Sequence, residues 1–203
     1  MNITKLGHSC LLVEESNARI LIDPGAYSEG HTKIDDVKVI LFTHEHPDHT
    51  DPASLAEILK RNPEAEIWCN EGVGAVLTGA GINWGPITAG ERRDVNGMSV
   101  EAYGKDHAII HPTVPSVVNT SYIIQGLLCV TGDAFAVPPR PIEILALPVC
   151  APWMRLAEAI DFALTVKPKK CFPVHDGFLK FGGQFHRLPG IVLEKNGIEF
   201  QIL

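Results

Sequence analysis

The chain has 203 residues, enough for one domain with a sizeable core, and its 45% apolar and 20% charged fractions are those of an ordinary globular protein. Seventeen basic against twenty-four acidic residues give a net charge of −7, which argues against a nucleic-acid binder; KPKK at 167–170 and ERR at 91–93 read as solvated surface. No apolar run reaches eighteen residues, MNITKLGHSC does not read as a secretory leader, and the five cysteines are odd in number and widely spaced, so a cytoplasmic protein with reduced thiols and no membrane span is expected.

In chain order, KLGHSCLLVEE, ARILIDPG and KVILFTH predict three successive strands, rich in branched apolar residues. Asp51-Pro52 then supplies an N-cap and a first-turn proline for a helix over ASLAEILKR. EIWCN is a further strand, and EGVGAVLTGAG is a glycine-weakened helix expected to end at Gly81. In the second half SVEAYG, SYIIQG, LLCVTGD and IEILALP are strand-like. Apolar residues at 153, 156, 157, 160, 163 and 164 predict an amphipathic helix over WMRLAEAIDFALTVKP, stopped by Pro168. KKCFPVHD is a strand running into a polar end. IVLEKNGIEFQIL reads as a terminal hairpin turning at Asn196-Gly197, and the glycines of FGGQFH as a turn. No linker or short repeat divides the chain. Strands followed by helices suggest two sheets packed face to face with helices outside, in one α+β domain spanning 1–203.

The chemistry concentrates in LFTHEHPDHTD. His44 and His46 stand at i and i+2 just past a strand, so both can point one way, and Asp48 and His49 follow a proline that ends the extended run. Imidazole nitrogen and carboxylate oxygen are the donors that zinc takes and that manganese or iron also accept. One loop offering three such nitrogens and a carboxylate can begin two adjacent metal sites.

His44-x-His46-x-Asp48-His49 after an apolar strand resembles the signature of the metallo-β-lactamase-fold hydrolases. The resemblance implies a four-layer αβ/βα sandwich, two mixed β-sheets flanked by helices, with the metal site at one edge. It also implies further site residues, and the sequence offers each where an apolar run meets a polar end: Asp23 in LIDPG, His107 in YGKDHAIIHP, Asp133 in LLCVTGD and His175 in KKCFPVHDG. The implied roles are a first metal on His44, His46 and His107, a second on Asp48, His49 and His175, and Asp133 as the bridge. Two divalent ions, zinc first with manganese or iron as alternatives, would then generate hydroxide for attack on an ester, lactone or phosphoester. Asp48 would also orient the nucleophile or carry a proton, while Asp23 would fix a ligand or the loop by hydrogen bonds. His111 is the alternative to His107 as ligand, or else lies behind the metals or faces substrate.

His8 in LGHSC resembles an element of the branch containing the L-ascorbate-6-phosphate lactonases. There it would lie near the metal edge and join Asp48 and Asp133 as a catalytic candidate; the alternative is a hydrogen-bonded histidine at a strand bend. Trp153 and Asp176 read as helix N-terminal packing and loop capping, with a place in the pocket lining as the alternative, and His31 and His186 as exposed. A small-molecule substrate is expected, and a homo-oligomer is left open. The rival functions are a transfer-RNA 3′-processing nuclease, for which the chain is short, acidic and armless, and a non-catalytic metal-binding protein, which would not need all seven donors.

Overall fold

The computed structural model describes residues 1–203. Asn2–Lys5 (β1), Leu11–Glu15 (β2) and Ala18–Ile22 (β3) form an antiparallel meander, after which the pairing turns parallel. Val39–Leu41 (β4) lies beside β3; Pro52–Arg61 (α1) crosses to Glu66–Cys69 (β5), and Glu71–Gly79 (α2) crosses to the short Gly85–Pro86 (β6). The six strands lie in sequence order.

The second half repeats this plan. Arg92–Val95 (β7), Met98–Tyr103 (β8), Ser121–Ile124 (β9) and Leu128–Val130 (β10) are antiparallel neighbours. Ile144–Pro148 (β11) then pairs parallel with β10, Leu156–Val166 (α3) crosses to Lys170–Val174 (β12), and Gly183–Lys195 (α4) crosses to Glu199–Phe200 (β13).

Alternation along the strands explains the layers. Ile20, Ile22, Val39 and Leu41 face Val100, Tyr122, Ile124, Val130 and Phe172 in the cluster between the sheets. Their neighbours Leu21, Ile40 and Phe42 pack outward against Leu55 and Ile58 of α1 and Val73 and Leu77 of α2. On the other outer face Ile123, Leu145, Leu147 and Cys171 meet Phe162 of α3 and Leu193 of α4. Central strands covered on both faces must be apolar at every position, hence the continuous runs VILF and ILAL. The result is the expected α+β sandwich of two mixed sheets flanked by helices. All five cysteines are free, and no helix is long and apolar enough to cross a membrane.

The C-terminus departs from expectation. Residues 183–195 are helix rather than the first arm of a hairpin, and FGGQFH leads into that helix. Asn196-Gly197 is its C-terminus: Gly197 takes φ +77°, and the amides of Gly197 and Ile198 return to the carbonyls of Glu194 and Leu193. The same dipeptide suits a two-residue hairpin turn and a helix end, and the deciding factor is tertiary. Leu193 is fully buried against the outer face of the second sheet, which α4 and α3 cover together, while β13 joins β12 in parallel. Shorter corrections concern α2, which ends at Gly79 before Gly81, α3, which starts at Leu156 rather than Trp153, and ERR, part of which lies in edge strand β7.

Gly25, just beyond β3, lies so close to the 44–49 loop that a Cβ there would overlap the carbonyl of Asp48 and the amide of His49. Gly25→Ala is expected to lower unfolding free energy by about 1–3 kcal/mol through overpacking. Gly79→Ala, in helix with nothing within 4 Å, is expected to raise it by about 0.5–1 kcal/mol. Urea denaturation of both variants checks the contrast, and equal effects would show that the close approach carries no constraint.

Candidate metal centre

Ends of parallel strands place the site. Asp23 directly follows β3; His44, His46, Asp48 and His49 follow β4; Asp133 follows β10; His175 follows β12. His107 comes from the loop between β8 and β9. Asp23 (φ +49°) and His175 (φ +62°) leave their strands in left-handed conformation, a strain of about 1–2 kcal/mol each for a residue with a Cβ. Gly132 (φ +61°) makes the corresponding turn before Asp133, and a Cβ there would run into Asn119 and Thr43.

These residues gather into two groups, His44, His46, His107 and Asp133 in one and His8, Asp48, His49 and His175 in the other, each with donor atoms within 4.8 Å of one another. All seven residues singled out as metal donors are present in them. Asp133 links the groups, because Oδ1 lies 3.2 Å from His49 Nε2, and Oδ2 lies 3.1 Å from His175 Nε2 and 3.5 Å from His107 Nε2.

The donors fit a metal by the atoms they leave unpaired. His49 Nε2, His107 Nε2, His175 Nε2 and Asp133 Oδ1 are buried without a hydrogen-bond partner, which a folded interior rarely tolerates. The opposite ring nitrogens are all engaged. Nδ1 of His107 donates to the Ala108 carbonyl at 2.6 Å, and Nδ1 of His175 to the Cys150 carbonyl at 2.6 Å. His49 Nδ1–H is held by Asp23 Oδ2 at 2.8 Å. A proton fixed on Nδ1 turns the Nε2 lone pair toward the shared centre, as a metal ligand requires.

Asp23 serves both groups. Besides His49, its fully buried carboxylate accepts the Thr43 amide and the Thr43 hydroxyl, each at 2.7 Å, and that hydroxyl oxygen in turn meets His44 Nδ1 at 3.0 Å.

His8 differs from the other histidines. Its Nδ1 accepts the Gly177 amide at 3.0 Å, so the neutral ring carries its proton on Nε2, 3.2 Å from Asp48 Oδ2. His8 therefore reaches the edge as a donor to Asp48 and has no lone pair free for a metal. Burial also lowers its pKa, outweighing the pull of Asp48 toward the charged form.

Charge divides across the cluster. Burial opposes a charge on His49, yet the carboxylates of Asp133 and Asp23 override it and hold the ring well above the ordinary histidine range. The same contest at His175, with Asp133 and Asp48 beside Nε2, raises its pKa to about 9. His44 and His46 are lowered, by burial first and then by neighbouring imidazoles. Asp48 and Asp133 are held below the carboxylate range because the surrounding imidazoles outweigh burial.

Several placements differ from the sequence reading. Trp153 is more than packing: its indole N–H donates to Asp133 Oδ2 at 2.7 Å, a contact that only the fold could reveal. Asp176 is buried, taking Lys5 Nζ at 2.5 Å and lying 2.7 Å from His186 Nε2, so it caps a buried ion pair and His186 is half-buried rather than exposed. His31 is also buried, beneath α1, rather than exposed. His111 is exposed and bonded only to Thr113, and it is not among the two donor groups. Thr43 is the site residue the sequence reading passed over, despite its place inside the motif.

Residues 2–175 match the sequence profile of the Beta-lactamase superfamily domain. The chain belongs to that superfamily. Among relatives, it is 38% identical to protein Rv0786c of Mycobacterium tuberculosis over 88% of this chain and 85% of the other. It is 24% identical to a UPF0173 metal-dependent hydrolase of Opitutus terrae, over 86% and 84%. A solved structure from Parabacteroides distasonis, named provisionally as a metal-dependent hydrolase, superposes with a TM-score of 0.79 at 26% identity, over 98% of this chain and 91% of that one. That solved structure thus shares the sandwich with this chain.

Two expectations follow. Asp23→Asn removes the carboxylate that orients His49 and, through Thr43, His44, and should weaken metal affinity about 10–100-fold. Competition with a chromogenic chelator reads this, and unchanged affinity would deny Asp23 the orienting role. The second concerns pH. His175 has a folded pKa raised from 6.5 to about 9, so its contribution to stability is complete below pH 6.5 and is lost as pH rises through 9. Chelator-stripped protein should therefore melt at progressively lower temperature between those limits, whereas zinc-loaded protein, with the carboxylates held by the ions, should not. Parallel melting curves for the two forms would overturn this.

Proposed function

We propose that this chain is a metal-dependent hydrolase that holds two divalent transition-metal ions and cleaves an ester or lactone of a small molecule. The observation that carries the reading is the convergence of His49 Nε2, His107 Nε2, His175 Nε2 and Asp133 Oδ1, all buried and unpartnered, at one edge of the sandwich. His44, His46 and His107 would hold one ion and Asp48, His49 and His175 the other, with Asp133 reaching both. Nitrogen and carboxylate donors without a thiolate suit zinc best and also admit manganese or iron. When bound, such ions supply Lewis acidity and lower the pKa of water to about 7.

The chain's own groups supply the rest. Asp48 has a side chain 21% exposed, against 5% for Asp133, so it is the carboxylate of the pair that solvent and substrate reach. That position suits it to orient the attacking water and to carry its proton toward the leaving group. His8 Nε2–H fixes the Asp48 oxygen that must not rotate away. Nδ1 of His111 accepts the Thr113 amide at 3.2 Å, which leaves a proton on Nε2 as a donor on the substrate side. Donors from both halves of the chain meet at the edge, which supports reading residues 1–203 as one catalytic domain, and five free thiols support a reducing, cytoplasmic compartment.

Reconstitution of chelator-stripped protein with zinc, manganese or iron should restore about two ions per chain, counted by elemental analysis. A screen of lactones, phosphodiesters and thioesters should then find turnover on an ester or lactone. Asp133→Ala should lower both metal affinity and kcat by about 100-fold or more, beyond the effect of losing an orienting partner. Fewer than one ion per chain, or an Asp133→Ala variant of undiminished activity, would sink the reading.

A further inference from the structure

Beside His46 and His107 a cavity of about 310 Å³ opens along residues 107–117. It has room for roughly ten water-sized groups. Ala108, Ile109, Ile110, Val114 and Val117 are five of its eleven lining residues, with Pro112 and Pro115 among them; the polar side chains there are histidines and Ser116, and no Lys, Arg, Asp or Glu lines it. Ile109 is 71% exposed and Val114 46%, unusual exposure for branched apolar residues that adjoin a polar centre. Exposed aromatic rings also adjoin the other donor group. Phe178, 45% exposed, lies 5.3 Å from the His8 ring and 5.6 Å from His175, and Tyr27, 52% exposed, lies 5.5 Å from His8.

A substrate bearing a phosphate or carboxylate remote from its reacting bond would have to bring that charge against a wall that offers imidazoles and Ser116 but no Lys or Arg, and would give up part of its hydration without an ion pair in return. An apolar group entering the same space would cover Ile109, Ile110 and Val114 as well as itself. We propose that the substrate of this site is an uncharged ester or lactone whose apolar group fills the 107–117 cavity, in place of an anionic sugar or sugar phosphate. This rests on the metal-dependent reading above and adds the substrate class to it.

The test is calorimetric binding of straight-chain hydroxamates, from acetyl to octanoyl, to zinc-loaded protein, together with analogues ending in a carboxylate. Affinity should rise about two- to fourfold per methylene along the plain series, and the terminal carboxylate should abolish the gain. Ile109→Lys, at an exposed position where folding is not at stake, should, relative to its own acetohydroxamate binding, flatten the plain series and recover binding of the carboxylate analogues. A flat series in the unaltered protein, or tighter binding of the carboxylates, overturns the substrate class while acetohydroxamate still binds. Failure of acetohydroxamate itself to bind overturns the metal reading, and the substrate class with it.

Discussion

A carboxylate sealed in a protein interior must be given hydrogen bonds or it will not stay charged, and Asp23 is given three. They come from the Thr43 amide, the Thr43 hydroxyl and His49. Because Asp23 sits at the end of β3 and its donors lie beyond β4, satisfying this one buried charge locks two neighbouring strand ends together. The same bonds fix the ring orientation of one histidine from each donor group. The rest of the edge inherits its order from that arrangement: with His44 and His49 held, the approach of Asp133 and His175 from the second sheet meets a preset face rather than a mobile loop.

The doubled topology explains why the donors meet where they do. Each half begins antiparallel and ends parallel, and the carboxyl ends of parallel strands in a covered sheet are where side chains can leave the sheet without breaking its ladder. Residues in the left-handed region or next to Gly25 and Gly132 take the sharp turns required there. Charge is balanced locally: two carboxylates face six imidazoles of the two donor groups, so His49 and His175, beside Asp133, favour a proton, and His44 and His46, buried and crowded by other rings, shed it. Such an edge is built to exchange protons for something else of positive charge.

Much of this was legible in the residues. Strands buried on both faces spell continuous apolar runs, so the points where VILF, LLCV and KCFPV turn polar mark strand ends, and those are the positions of His44, Asp133 and His175. The resemblance carried by His44 to His49 supplied the order of the remaining donors and the sandwich itself. What stayed hidden depends on contacts distant in sequence. Asn196-Gly197 obeys the local rules of a hairpin and of a helix end equally, and only the outer face of the second sheet chooses. Nothing local tells that the indole of Trp153 will find Asp133 twenty residues earlier, or that Lys5 will neutralise Asp176 across 171 positions. His31 looked solvated because its neighbours are polar, yet it lies beneath α1.

The split origin of the donors has a mechanical consequence. Asp48 and His49 stand on the first sheet, Asp133 and His175 on the second, and Asp133 reaches donors of both groups. Any ion seated among them is therefore a rivet through the sandwich, and its binding free energy adds directly to the cohesion of the two layers. Loss of the ion would then be felt well beyond the site, as a loosening between the two layers.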